Sequence, residues 1–357
     1  MSVTEKLQKD GDTFNKTHLP IREDWLRETE EEAIEPELEI VDPHHHLWGT
    51  PRPDYLLPEL LADLQAGHRI ISTVFVECRA MYRAHGPEER RSIGETEFVN
   101  GIAAMSASGA FGDTRIAEKI VGYVDLALGE RARDILQEHV RVSSGRFAGV
   151  RNINAYHPDP NVISTSIQYP RDLMQDPSFH EGVRVLGELD LSFDAFMYHT
   201  QIRELATLAE ACPQTRIVID HYGCPVGIGP YRGKREEVFA DWAESMTLLA
   251  RYPNLTVKVG GLGLRTCGFG FNEAERAPSS DALAAAWQPY FDHTVEQFGA
   301  ERCMFESNFP VDKGSCSYAN LWNAFKKMSA GLAPQQRRDL FTGTASRVYR
   351  MAGAPSP

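Results

Sequence analysis

The 357-residue chain lacks several features that would assign it to a class at once. Its cysteines form no CxxC pair and no close couple, which excludes a disulfide framework or a cysteine zinc site as the organising feature. No apolar run is long enough to predict a membrane span. The N-terminal residues show neither the basic nor the apolar segment of a signal peptide, and we expect a cytoplasmic protein with reduced thiols.

Positive charge is also scarce. Lys and Arg number 37 against 50 Asp and Glu, a formal net charge of −13. A nucleic-acid partner would require clustered Lys and Arg, and no such cluster occurs. Hydrophobic residues make up 42% of the chain, an ordinary share for a globular protein with a large core. We therefore expect a small-molecule substrate and no nucleic-acid or membrane partner, and the sequence leaves a homo-oligomer open.

A glycine-rich phosphate-binding turn is missing as well. The segment after the first predicted strand reads HHHLWGTPRP, and the glycine runs at 223–229 and 260–272 lack the Lys-Ser/Thr ending of a P-loop. This disfavours a doubly wound nucleotide-binding fold. We interpret the glycine runs as mobile loops that could cover a substrate.

From residue 37 onward, short β-branched apolar runs alternate with helical patterns, which is typical of repeated βα units. Eight strands followed almost throughout by helices predict a (β/α)₈ barrel. The predicted strands are 37–43, 69–77, 119–126, 145–153, 189–196, 215–221, 255–261 and 302–308. The predicted helices are 58–65, 94–108, 132–140, 201–211, 235–252, 281–299 and 321–331.

The chain divides into two parts on this interpretation. Residues 37–352 form the barrel domain, and residues 1–36 form a polar, Glu-rich N-terminal extension. Trp25 and Leu26 are the main apolar anchors of the extension. We expect it to lie outside the core and to have no catalytic role.

Polar side chains with useful chemistry follow nearly every predicted strand. In a barrel of this kind the active site lies at the carboxyl ends of the strands, so these side chains are predicted to share one site. In chain order they are His44, His45, His46, Glu77, Arg151, Tyr156, His157, His199, His221, Lys258, Glu306 and Asn308.

The triple histidine has a simple geometric interpretation. Alternate residues of an extended segment face the same way, so His44 and His46 can bind one metal ion while His45 points elsewhere. His221 or His199 would supply a further ligand, with a position left for water. The remaining histidines are interpreted as surface or capping residues: His85, His139, His180 and His293.

The charged residues allow two interpretations each. The guanidinium fork of Arg151 suits a substrate carboxylate, but a structural ion pair explains it equally well. Glu77 can bind the substrate or form an ion pair in the barrel mouth. Lys258 can bind the substrate or be a strand residue packed along its stem. Both alternatives stay open for all three residues.

Four segments in this order resemble the amidohydrolase superfamily: VDPHHHLW, GVR, IDHYGCP and MFESNFPVD. More narrowly, they resemble its branch of sugar lactonases and 2-pyrone-4,6-dicarboxylate hydrolases, over about residues 38 to 351. The resemblance implies a divalent metal, with zinc expected, bound by His44, His46 and His221. It also implies hydrolysis of a lactone or related cyclic ester.

One position departs from the family pattern. The strand-eight aspartate of the family corresponds to Asn308, and a neutral amide is a weak ligand and no base. This departure leaves open a chain without the metal, and Glu306, Asp312 or His221 would have to take the proton. Including Asn308, the predicted catalytic residues are His221, Asn308, Glu306 and His199, and the predicted substrate-binding residues are Arg151, Tyr156, His157, Glu77 and Lys258.

Other functions fit the same residues. A decarboxylase or hydratase would use the same pocket, because decarboxylases of the wider superfamily share its framework, and a metal-independent hydrolase would need no ion. A ligand-binding protein without activity is suggested by Asn308 alone. The sequence does not identify the substrate.

Overall fold

A computed structural model describes residues 17–50, 52–163 and 169–351. Within them, eight parallel strands lie in chain order in one sheet that nearly closes into a barrel, which confirms the predicted fold. The strands are β1 (Glu39–His45), β2 (Arg69–Val76), β3 (Arg115–Gly122), β4 (Phe147–Ile153), β5 (Ser192–Phe196), β6 (Ile217–Ile219), β7 (Leu255–Lys258) and β8 (Cys303–Met304).

The helices pack around this sheet, and none in the described part of the chain has the length and hydrophobicity that crossing a membrane requires. They are α1 (Glu23–Arg27), α2 (Leu57–Leu64), α3 (Ile93–Ala107), α4 (Ala132–Val142), α5 (Pro177–Glu188), α6 (Ile202–Ala211), α7 (Arg235–Leu249), α8 (Ser280–Phe298), α9 (Tyr318–Met328), α10 (Pro334–Arg338) and α11 (Thr344–Tyr349).

The barrel closes through the segment that follows the short strand β8. The backbone N–H of His46 donates to the carbonyl of Phe309 at 2.8 Å, and that of Asn308 donates to the carbonyl of His44 at 2.9 Å. These bonds lie at the carboxyl end of β1. They therefore fix the triple histidine against the strand-eight segment, which is where the sequence places the reactive residues.

A buried carboxyl group reinforces the same junction. Asp42 accepts a hydrogen bond from the backbone N–H of Ser307 at 3.0 Å and another from the Tyr318 hydroxyl at 3.0 Å. Burial raises the pKa of Asp42 to about 6, although these hydrogen bonds act in the opposite direction. Asp42 thus joins β1 to the strand-eight segment and to α9.

The amino-terminal half of the barrel interior is filled with apolar side chains. Helix α11 packs its Val348 and Tyr349 against them and closes this end of the barrel. A packed interior leaves only the carboxyl end open to a ligand. The strand residues of this cluster are Val41, Val74, Val76, Val121, Ala148, Val218 and Met304.

The structure differs from the sequence prediction in several places: strands β5 to β8 are shorter than predicted, and α10 and α11 were not predicted. Strand β3 begins at Arg115, ahead of the predicted start, because Ala117 adopts a left-handed φ of 49° that interrupts the alternating pattern. Helix α5 was not predicted, although Asp176 caps it by accepting from the Ser178 N–H at 2.8 Å. The prediction that His139 is a surface or capping residue is wrong, because its side chain is fully buried and hydrogen-bonded to the Thr96 hydroxyl at 2.8 Å.

Residues 17–38, called the N-terminal arm here, pack along α9. Trp25 and Leu26 are buried with Ala277, as expected for its apolar anchors. Two buried asparagines of α9 bind the backbone of the arm. Asn320 donates to the carbonyl of Thr29 at 2.9 Å, and Asn323 accepts from the N–H of Ile34 at 2.9 Å.

Replacing Asn320 by alanine tests this attachment. The amide also accepts from the Glu31 N–H and donates to the Pro278 carbonyl, so its loss leaves buried backbone groups without partners. We expect the free energy of unfolding, measured by urea denaturation, to fall by about 1–3 kcal/mol. The exposed Gln65→Ala serves as control and should be unchanged. Equal stability of the two variants would contradict the role given to Asn320.

Candidate active site

Strand β1 presents its histidines to two different surroundings. His45 turns away from the cavity and lies with its Nε2 2.9 Å from the Thr73 hydroxyl. The rings of His44 and His46 have centroids 4.9 Å apart. The alternation of an extended strand thus separates His45 from its two neighbours.

His46 has a fixed tautomer. Its Nδ1 lies 2.8 Å from the carbonyl of Val76, and a carbonyl can only accept, so Nδ1 carries the proton. The pKa of His46 lies well below the ordinary value because of burial first and the nearby Arg151 second. His46 is therefore neutral, and its Nε2 lone pair is available as an acceptor.

His221 follows β6 in a strained turn. It has φ 55° and ψ 45°, and Tyr222 and Cys224 are left-handed as well. Such conformations cost about 1–3 kcal/mol each and cluster at functional sites. The residue opposite the His221 ring must also lack a side chain, because a Cβ added to Gly261 would lie 2.3 Å from His221 Nδ1.

Glu306 lies between the histidines of β1 and β6. Its Oε1 accepts from His221 Nδ1 at 2.7 Å and from the His221 backbone N–H at 3.2 Å. Its Oε2 lies 2.7 Å from His44 Nδ1 but has no hydrogen bond to the described residues. Burial alone would lower the pKa of His221, but the Glu306 carboxylate outweighs it and raises that pKa.

Lys258 occupies the centre of the barrel and is completely buried. Its Nζ lies 2.7 Å from Asp194 Oδ2, 3.0 Å from Asp220 Oδ1 and 3.1 Å from His44 Nδ1. Burial alone would lower the pKa of Lys258. The carboxylates of Asp194 and Asp220 have the larger effect and raise that pKa, so the amine stays protonated. The pKa of His44 is held well below its ordinary value by burial and by this ammonium group.

Arg151 forms the second buried ion pair. Its Nε donates to Glu77 Oε1 at 2.9 Å, and a further N–H donates to the Glu77 carbonyl. One of its terminal nitrogens lies 4.0 Å from Asp220 Oδ2. The two sequence interpretations of Arg151 are thus compatible, because the paired guanidinium also lines the cavity.

Asn308 stands where the family pattern has an aspartate. Its backbone is left-handed, with φ 54°, and its Nδ2 donates to Asp312 Oδ1 at 2.8 Å. The other oxygen of Asp312 accepts from the Gly263 N–H at 2.9 Å, and burial raises the pKa of Asp312 to about 7. Asp312 does not line the cavity, so it acts on it through Asn308, whose carbonyl oxygen remains as an acceptor.

His46, Glu77, Arg151, His221 and Asn308 line a cavity of about 100 Å³ at the carboxyl end of the barrel. Arg52 and Arg79 join Arg151 in its wall, which gives the cavity a positive lining despite the acidic chain. Burial lowers the pKa of Arg79, but the tyrosines around it and Glu77 outweigh this and raise it. The lining also includes His18 and Trp48.

Six predicted site residues lie outside this cavity lining. Among them, His44 contacts both Lys258 and Glu306 in the barrel interior. The other three are His199, His157 and Tyr156. His199 accepts from the Val226 N–H at 3.1 Å, and burial lowers its pKa to about 4. His157 lies 3.2 Å from the Tyr231 hydroxyl, and the Tyr156 backbone is bound by a glutamine side chain. The structure gives these last three residues contacts with the loops after β5 and β6 instead.

Sequence reasoning missed several residues that the structure brings into the site. Asp194 and Asp220 are charged residues within or just after buried strands, a signal as clear as that of Lys258. Arg52 and Arg79 lie in the loops after β1 and β2, where one arginine among many carries no signal.

The chain is similar to known proteins along most of its length. A family model described as Amidohydrolase matches residues 41–351. The chain belongs to the amidohydrolase family. It is 29% identical to an uncharacterized protein, y4mH, of Sinorhizobium fredii, over 88% of this chain and 99% of that one. It is also 25% identical to an L-fucono-1,5-lactonase of Burkholderia ambifaria, over 87% of this chain and 95% of that one.

Solved structures support the same fold. An amidohydrolase of Burkholderia multivorans with bound zinc superposes with a TM-score of 0.65 at 22% identity, over 88% of this chain and all of that one. Family membership and the lactonase relatives support a hydrolase acting on a small molecule.

Three of the described residues offer ligand atoms for a metal ion, with Glu306 in place of the predicted ligand His46. Suitable atoms of His44, His221 and Glu306 all lie within 4.8 Å of one another. Two imidazoles and one carboxylate are a ligand set found in catalytic zinc sites. The Oε2 atom of Glu306 has no hydrogen-bond partner among the described residues, so it is available to a cation.

Gly261→Ala tests how His221 is held. Both Gly261 (φ 74°) and the control Gly109 (φ 75°) are left-handed, but a Cβ at Gly109 meets nothing within 4 Å. Both variants should pay for the backbone conformation, and Gly261→Ala should lose about 1–3 kcal/mol more unfolding free energy through overpacking. Equal losses in urea denaturation would show that the close approach to His221 is not needed.

Proposed function

We propose that this hydrolase opens a lactone or related cyclic ester of a small carboxylated or hydroxylated substrate. The observation that carries the proposal is the 2.7 Å contact of His221 Nδ1 with Glu306, at a cavity whose wall contains three arginines. A carboxylate that holds one imidazole nitrogen leaves the other free to accept a proton, which is the arrangement of a general base.

The proton path follows from this pair. A carboxylate oxygen accepts hydrogen bonds, so the contact with Glu306 places the His221 proton on Nδ1 and leaves Nε2 as the acceptor. A water oxygen adds to the ester carbonyl carbon while its proton moves to His221 Nε2. The ring C–O bond then breaks, and the imidazolium returns the proton to the departing alkoxide. The product is a hydroxy acid, and no other reactant is needed.

The other wall residues bind and orient. Arg79 and Arg151 are suited to a substrate carboxylate or to the oxyanion that develops on the carbonyl. Asn308 presents an acceptor oxygen that can hold a water or a substrate hydroxyl. Because it is fixed by Asp312, Asn308 is assigned a positioning role rather than that of the base.

A divalent ion, with zinc expected, is the group that the family implies. His44, His221 and Glu306 would hold it, as their ligand set and the unpartnered Oε2 of Glu306 support. When bound, such an ion polarises a carbonyl and lowers the pKa of a water molecule. In that state His46, which lines the cavity and has an unprotonated Nε2, is the imidazole that remains to accept a proton.

A panel of lactones with and without a carboxylate tests the reaction. We expect hydrolysis, fastest for carboxylated members, with kcat/KM reduced about 10²–10⁴-fold in His44→Ala and His221→Ala. Asn308→Ala should stay within about tenfold of the wild type, because it only positions. The exposed His85→Ala is the control and should be unchanged.

Two results of this panel would contradict the proposal. One is an inactive Asn308→Ala beside an active His221→Ala, since that exchanges the assigned roles. The other is a product that has lost CO₂ or has gained water without ester cleavage, since either would establish a lyase.

Metal content is tested separately from turnover. After incubation with Zn²⁺ and dialysis, we expect elemental analysis to find a single zinc per wild-type chain. Glu306→Gln should weaken zinc binding at least about tenfold, because it removes the anionic ligand. The exposed Glu301→Gln is the matched control. Unchanged binding in Glu306→Gln would contradict the ligand set, and zinc-free active protein would establish the metal-independent reaction.

A further inference from the structure

The N-terminal arm runs the full height of the barrel. Helix α9 contacts it with successive polar residues: Asn320 binds Thr29, and six residues later Lys326 donates to the carbonyl of Glu35 at 2.9 Å. The arm therefore descends in the same direction as α9. It leads into β1 at the bottom, and its first described residues lie at the mouth.

The start of the arm is packed tightly at that mouth. A Cβ added to Gly314 would lie 2.4 Å from the Cβ of Leu19, so the arm touches the backbone of the loop after β8. Glu23 forms a 2.9 Å ion pair with Lys313 in the same loop. The His18 ring meets the edge of Trp48 at 6.1 Å, and Trp48 stacks on His46 at 5.9 Å. A single ring, that of Trp48, thus connects His18 of the arm to His46 of the reaction cavity.

A second cavity lies beside the reaction cavity, under the arm. It has a volume of about 310 Å³ and shares His18, Trp48 and Val311 with the reaction cavity. Most of its lining is apolar. The residues that matter here are Leu19, Ile21, Trp48, Pro53, Pro310 and Val311.

The sizes of the two cavities complement each other. Ligand pockets usually measure about 300–1,000 Å³, and the reaction cavity alone is well below this range. Only together with the cavity under the arm does it reach the range. One part is positive and carries the histidines, whereas the other is apolar.

We propose that the N-terminal arm is part of the substrate site and that the substrate carries an apolar substituent, which lies under the arm against Leu19 and Ile21. His18 contacts the substrate where the two cavities meet. The inference rests on the proposed hydrolase function of the same site. It assigns a role to a segment outside the family match, which begins at Val41, and it reverses the expectation that the extension has no part in the reaction.

A series of δ-lactones that differ only in their alkyl substituent, from hydrogen to pentyl, tests the inference. In the wild type kcat/KM should rise about fourfold for each added methylene until the cavity is full, corresponding to ~0.8 kcal/mol per buried methylene. Ile21→Trp fills the cavity from a partly exposed position and should remove this rise. Val140→Trp is the matched control, because Ile21 and Val140 are 37% and 40% exposed.

His18→Ala should lower kcat/KM for the substituted lactones more than tenfold, whereas His85→Ala should not change it. Thermal melting of each variant shows that it is folded. A wild type that hydrolyses all members equally, or an Ile21→Trp variant with the wild-type rise, would overturn the inference and leave the hydrolase function intact.

Binding of the ring-opened hydroxy acids, measured by calorimetry, separates the two proposals. If no lactone is hydrolysed but affinity still rises with chain length and loses that rise in Ile21→Trp, the proposed function fails and the arm site stands. If affinity does not depend on chain length, the arm site is wrong.

Discussion

Buried charge that must be paired is the constraint on which this structure depends. Lys258 is held in the barrel centre by Asp194 and Asp220, and Arg151 is held at the mouth by Glu77. Removing either partner would leave an uncompensated charge in the interior, which costs several kcal/mol. The strands are thus tied to one arrangement of charges, and the same arrangement sets the protonation of the histidines that face it.

The closure of the barrel and the construction of the site are a single feature. Glu306 joins the histidines of two strands, and Asn308 binds the β1 backbone in a left-handed conformation. The left-handed backbone at His221 and Asn308 is maintained by hydrogen bonds to neighbouring segments. Gly261, which has no side chain, leaves the space that His221 needs. The side chains are consequently positioned before a ligand arrives, which favours catalysis by preorganised groups.

Much of this follows from the sequence. The alternation of apolar runs and helical patterns predicts the barrel, and the spacing of His44 and His46 follows from the strand period. The structure differs from the prediction where contacts between residues distant in the sequence determine the conformation. The left-handed Ala117 displaces the start of β3, and the burial of His139 depends on Thr96 from another helix. No local pattern shows that the arm brings His18 to the mouth, since that position depends on contacts with α9.

The substitution of Asn308 for an aspartate shows the same limit. The sequence identifies the missing acid, but only the structure shows Glu306 between two histidines and Asp312 behind the amide. The strand-eight segment therefore still carries two carboxyl groups, those of Glu306 and Asp312, although position 308 is neutral. Conversion of a carboxylated lactone in H₂¹⁸O, followed by mass spectrometry, tests the central claim most directly. The account predicts one ¹⁸O in the new carboxylate of the ring-opened hydroxy acid, and a product without solvent oxygen would contradict it.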